Sequence, residues 1–147
     1  MKIDITKKEY RTLLDILFIA DWVLHSHKIG RPAETEEYRS LIQKLYSYAK
    51  DIGYEDFIEY SSNMEEYAPT KEYEETNDSM EFIEEFENDS FWEGLVERLA
   101  LRDLIQQEGE DNLSNMEIKE IFEKEEPFRK KYYDEFEENG LKNISIR

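Results

Sequence analysis

The chain contains no cysteine. Disulfides, thiolate nucleophiles and cysteine-ligated zinc or iron–sulfur centres are therefore excluded together. Glycine and proline are scarce, five and three in 147 residues, so most of the chain is free to adopt regular structure. Long apolar runs are missing as well: the longest, Ile16 to Ala20, is far too short to cross a membrane. The opening stretch MKIDITKKEY has no apolar core of signal-peptide length, and the expectation is a cytoplasmic protein. In that setting the Asn-x-Ser sequences at Asn77, Asn88, Asn112 and Asn143 read as turn and cap chemistry.

Signatures of chemistry are missing too. There is no glycine-rich phosphate loop and no Gly-x-Ser-x-Gly elbow. The twelve-residue calcium loop is absent despite the many carboxylates. No basic recognition helix is present, and no cofactor is expected. With 37 acidic residues some carboxylate pair is inevitable, so such a pair has no weight as a sign of glycoside hydrolysis.

What the chain does have is negative charge, a formal −18. Binding to a nucleic-acid backbone needs a basic footprint, so direct nucleic-acid binding is not expected, nor is binding to an anionic membrane. A basic protein partner or cations would be attracted. The charge is concentrated. Residues 55–89 hold fourteen carboxylates and one cation, Lys71, which is thirteen of the eighteen net negative charges. Aromatics are interleaved: Phe57, Tyr60, Tyr67, Tyr73, Phe82 and Phe86. The functional expectation is a partner-binding surface that includes Glu74, Glu75, Glu81, Glu84 and Glu85. One variant of it is a mimic of the DNA backbone that blocks a nucleic-acid-binding protein. The plain alternative is a solvated face that keeps the chain soluble.

The remaining pattern is helical. Thr6 with Glu9 forms a capping box that opens a first helix over about Lys7 to His27, ended by Gly30, Arg31 and Pro32. A second helix is expected from about Glu36 to Asp51, with its apolar residues within roughly 160° of one face and Gly53 after it. A short helix fits around Glu55 to Tyr60. Asp78 with Glu81 and Ser90 with Glu93 predict two further helices, ending near Glu87 and Gln107. Residues 109–113 read as a polar loop, and Ser114 with Glu117 starts the last helical region. Pro127 should break or kink that region or begin a new helix. Phe128, Tyr132 and Phe136 form a stripe, and Gly140 closes the end. Lys2–Ile5 and Leu141–Arg147 alternate as short strands that can pair. The expected fold is mainly α: a bundle-like single domain over residues 1–147, with five to six helices and those short N- and C-terminal strands. Nothing specifies an oligomeric state.

Two carboxylates interrupt their helices. With Tyr10 at 0° and about 100° per residue, Leu13, Leu14, Leu17 and Leu24 centre near 340°, and Asp21 falls among them at about 20°. His25, one turn on, shares that face. With Trp92 at 0°, Asp103 falls at about 20° among Leu95, Val96 and Leu99, with Arg98 and Arg102 on one flank. Both acids are expected to point inward, where an isolated charge is costly and must be paired. One reading is a core hydrogen-bond network. The other is a metal or acid/base site built from Asp21, His25 and Asp103, to which Glu93 and Glu97, four apart on the other helix, could contribute. His27 is offset by two residues from His25, and its expected role is to complement the helix end.

Overall fold

The computed structural model describes residues 3–145. Among those residues the chain is mainly α with one small antiparallel pair of strands. It clusters into two compact units, Met1–Glu85 and Phe86–Arg147. Among the described residues no helix is long and apolar enough to cross a membrane.

The first unit starts with α1, Lys7–His25. The Thr6–Glu9 capping box forms as the sequence implies: Glu9 N–H donates to the Thr6 hydroxyl, and Thr6 N–H donates to the Glu9 carboxylate at 2.7 Å. The Thr6 N–H, with the Thr6 hydroxyl at 2.7 Å, holds the Glu9 carboxyl below the usual carboxylate range. The helix ends two residues earlier than expected, which places His27 beyond it. A 3₁₀ turn at Ala33–Thr35 leads into α2, Glu36–Tyr46, and α3 is a single turn at Ala49–Ile52. The continuous second helix of the sequence reading is thus split. Ser47 explains the break: its hydroxyl takes the Lys44 carbonyl at 2.8 Å, competing with the helical pattern. Gly53 then adopts φ 80°, a left-handed cap that favours glycine.

The strand pair lies in the interior of the sequence, not at the chain ends. β1 (Ile58–Ser61) and β2 (Glu66–Pro69) form a hairpin in the register Ile58↔Pro69, Glu59↔Ala68, Tyr60↔Tyr67 and Ser61↔Glu66. This replaces the helix expected at Glu55 to Tyr60. Cross-strand packing decides it: the Tyr60 and Tyr67 rings meet at 5.1 Å. The Gln43 side chain also ties β2 to α2, accepting Tyr67 N–H at 2.7 Å and donating to its carbonyl at 2.9 Å. Of the terminal stretches, Lys2, Ile146 and Arg147 lie outside the described residues, and the described remainder carries no strand.

α4, Lys71–Thr76, is capped by the Thr70 hydroxyl. α5 runs without a break from Ser79 to Glu108, replacing the two helices expected there. No glycine or proline separates Glu87 from Ser90, so the Ser90–Glu93 pair is helix interior and caps nothing. The start of α5 is organised by Asn77 rather than Asp78. Asn77 is buried, accepts Ser79 N–H at 2.9 Å and donates to the Tyr73 carbonyl at 2.7 Å. The core of this unit joins Tyr10, Leu14, Leu17 and Phe18 of α1 to Ile42, Tyr46, Ala49, Ile58, Tyr73 and Ile83.

In the second unit α5 buries Val96, Ala100 and Leu104, one per turn on a single stripe. Gly109 (φ 84°) opens α6, Glu110–Leu113, a helical turn where the sequence suggested a polar loop. α7, Ile118–Asn139, starts after Glu117, because the Ser114 hydroxyl donates back to the Glu110 carbonyl instead of capping forward. α7 is continuous through Pro127. The proline leaves the Glu123 carbonyl without its helical donor, and both residues lie on the exposed side, where that loss is least costly. The stripe on α7 turns inward, with Phe136 packing on Trp92 at 5.5 Å and on Tyr132 at 5.9 Å. Gly140 ends the helix as expected.

Candidate functional site

The acidic surface of the first unit is fixed from beneath by two buried side chains. Tyr73 of α4 and Ile83 of α5 face the core, and this leaves Glu74, Glu75, Glu81, Glu84 and Glu85 exposed. Asn77 bridges the two helices by the bonds described above. Tyr73 is held further in by donating its hydroxyl to Asp15 at 2.7 Å, and Asp15 is ion-paired with Arg11. Burial, then the bond to Asp15 and its charge, push the Tyr73 hydroxyl far up. Among the described residues only Glu75 of these five has an ion pair, with Lys71 at 3.1 Å. Phe82 lies between Glu81 and Glu84 in the chain and is 60% exposed.

Asp21 is a correction. It does not enter the core: its side chain is 50% exposed, and His25 Nδ1 donates to its Oδ1 at 2.9 Å. The core centres on the first three turns of α1, so by its fourth turn that face meets the rim of a cleft. The Nε2 atom of His25 lies 3.0 Å from the hydroxyl of buried Thr35, which is also within 3.1 Å of the Pro32 carbonyl. Asp103 belongs to the second unit and is largely enclosed there, its side chain 14% exposed. It receives the Tyr132 hydroxyl at 2.5 Å, Arg102 at 2.7 Å and Lys131 at 3.4 Å. Burial pushes its carboxyl up, but those three donors outweigh burial and hold it below the usual range. Glu97 pairs with Arg129 at 3.5 Å. Among the described residues no group of three or more His, Asp or Glu side chains is gathered as ligands for a metal ion.

Three features were not singled out in the sequence. The Arg11–Asp15 spacing of four is a visible helix-pair signal, but its link to Tyr73 spans 58 residues. Glu66 of β2 is paired with Arg39 of α2 and, at 3.0 Å, with Arg31. Tyr46 shares the apolar face of α2, and no pattern distinguishes it from a core residue.

The fold and surfaces define a class, an acidic, mainly α chain with a carboxylate face. Comparison with protein families, curated proteins and solved structures finds no match.

Proposed function

We propose that this is a non-enzymatic interaction or regulatory protein of the cytoplasm. It binds a basic protein partner through the acidic 55–89 region, centred on Glu74, Glu75, Glu81, Glu84 and Glu85. One observation carries the reading: four of these five exposed carboxylates have no ion pair among the described residues, and exposed Phe82 lies in their midst. Carboxylates that serve only solubility need no ordered base. Here the two segments that bear them are pinned by Tyr73, Asn77 and Ile83. An exposed aromatic beside carboxylates in the chain is the composition of an anchor within a polar rim. Long-range attraction would speed the encounter, and Phe82 would slow dissociation.

The test is capture of partners at low salt, followed by affinity measurement with the purified partner. Charge reversal by Glu81→Lys, Glu84→Lys and Glu85→Lys should abolish capture while thermal unfolding stays close to that of the unaltered chain. Unchanged affinity would remove this surface from the account. If the partner is a nucleic-acid-binding protein that releases its nucleic acid on binding, the DNA-backbone mimic becomes the specific form of the same reading.

A further inference from the structure

A cleft of about 240 Å³ in the first unit is built by α1, α2 and β2 and does not involve the acidic face. Asp21 and His25 lie on its α1 side, Arg39, Ile42, Gln43 and Tyr46 on its α2 side. Most polar groups here are already satisfied. Gln43 is used on both amide atoms by Tyr67, Glu66 is held by two arginines, and His25 has a partner at each ring nitrogen. Two groups are not. Tyr46 is 3% exposed, yet its hydroxyl has no hydrogen-bond partner among the described residues. Tyr46 lines the cleft. Asp21 uses Oδ1 on His25, and its Oδ2 accepts nothing among the described residues. Burial, then the nearby charge of Asp21, push the Tyr46 hydroxyl far up, so Tyr46 meets a ligand as a neutral phenol.

We propose that this cleft binds an organic monocation: an ammonium or guanidinium group on an apolar stem. The cation donates to Asp21 Oδ2 and to the Tyr46 oxygen, two acceptors that no protein donor fills. The stem lies against Ile42, Met64, Ala68 and Pro69, and the Tyr67 ring adds an aromatic surface. The opposite end selects against a second positive charge. Arg39 is seven residues from Tyr46 on α2, about 10 Å along the axis, and it stands beside Arg31 on Glu66. A dication spanning the cleft would meet those guanidinium groups. The cation could come from a free amine or from a lysine or arginine side chain of a protein, since the recognised group is the same.

The experiment is calorimetric titration of the full chain with n-butylammonium, beside butanol, butyrate and the diammonium of equal length. The expected result is saturable binding of butylammonium, with butanol and butyrate about tenfold weaker or undetectable and the diammonium weaker than the monocation. Asp21→Asn, at a half-exposed position, should weaken binding by about tenfold, and Glu84→Gln on the acidic face should leave it unchanged. Equal losses in those two variants would reveal diffuse attraction to an acidic protein and overturn the proposal. So would butanol binding as tightly as the amine, or no saturable binding. Capped lysine amide identifies the source: competition at equal affinity supports a protein side chain, and exclusion of capped lysine supports a free amine. The acidic-face variants are untouched by either result, so this inference and the proposed partner binding fail separately.

Discussion

The two units reach stability by different means. The first is organised around one apolar cluster drawn from α1, α2, α3, β1, α4 and the start of α5, with Tyr10, Leu14 and Tyr73 enclosed almost completely. The second buries a narrow stripe, Val96, Ala100 and Leu104, and adds charged pairs: Asp103 with Arg102 and Lys131, Lys124 with Glu108, Arg129 with Glu97. Its cations are largely engaged with its own acids. Among the described residues the acidic face of the first unit is left without that compensation, apart from Lys71 on Glu75. The contrast separates carboxylates that hold a fold together from carboxylates that the fold holds outward. Only the second kind is available to a partner.

Perturbing each unit sharpens that contrast. The largest effect is expected at Leu14, which is wholly enclosed in the larger core: Leu14→Ala should destabilise by about 3–4 kcal/mol in urea unfolding. Leu104→Ala in the narrower stripe can relax more easily and should cost nearer about 2 kcal/mol. We propose that both losses move a single transition, as one domain over residues 1–147 requires. Two separate transitions would divide the chain into independent domains instead. Next in size, and opposite in sign, Pro127→Ala should stabilise by about 2 kcal/mol, because it restores a donor within a helix that is already continuous.

Asp103 should make the second unit sensitive to acid. Its folded-state carboxyl titrates below the ordinary value of about 3.9, so its contribution is fully present above that pH and is lost as pH falls through the lowered value. Asp103→Asn should flatten this part of the stability–pH profile below about pH 4 and cost about 1–2 kcal/mol at neutral pH. An unaltered acid limb would assign the sensitivity to other carboxylates. The smallest effect is expected at the first helix cap, where Thr6→Ala should cost about 1 kcal/mol in thermal unfolding.

How far these features could be read from the sequence depended on whether the cause was local. The Thr6–Glu9 cap, the left-handed Gly53 and the Phe128–Tyr132–Phe136 stripe are set by neighbours within a turn, and each formed where its residues indicated. The Ser90–Glu93 pair misled because the same spacing is compatible with a helix interior when no breaker precedes it. The hairpin was missed because its stability comes from Tyr60 against Tyr67 and from Gln43, 24 residues away. Helical phase alone placed Asp21 and Asp103 in equivalent positions. Tertiary surroundings separated them, one at the rim of a cleft and one under Tyr132. Tyr46 shows the same limit, since only the tertiary packing reveals that it lines a cleft.

The measurement that tests the central claim most directly is an amide chemical-shift titration of the labelled chain with the captured basic partner, repeated with the triple charge reversal. The account predicts perturbations concentrated over residues 71–85, with binding that weakens as salt rises and vanishes in the variant. Perturbations concentrated on α7, or an affinity indifferent to the reversal, would contradict it.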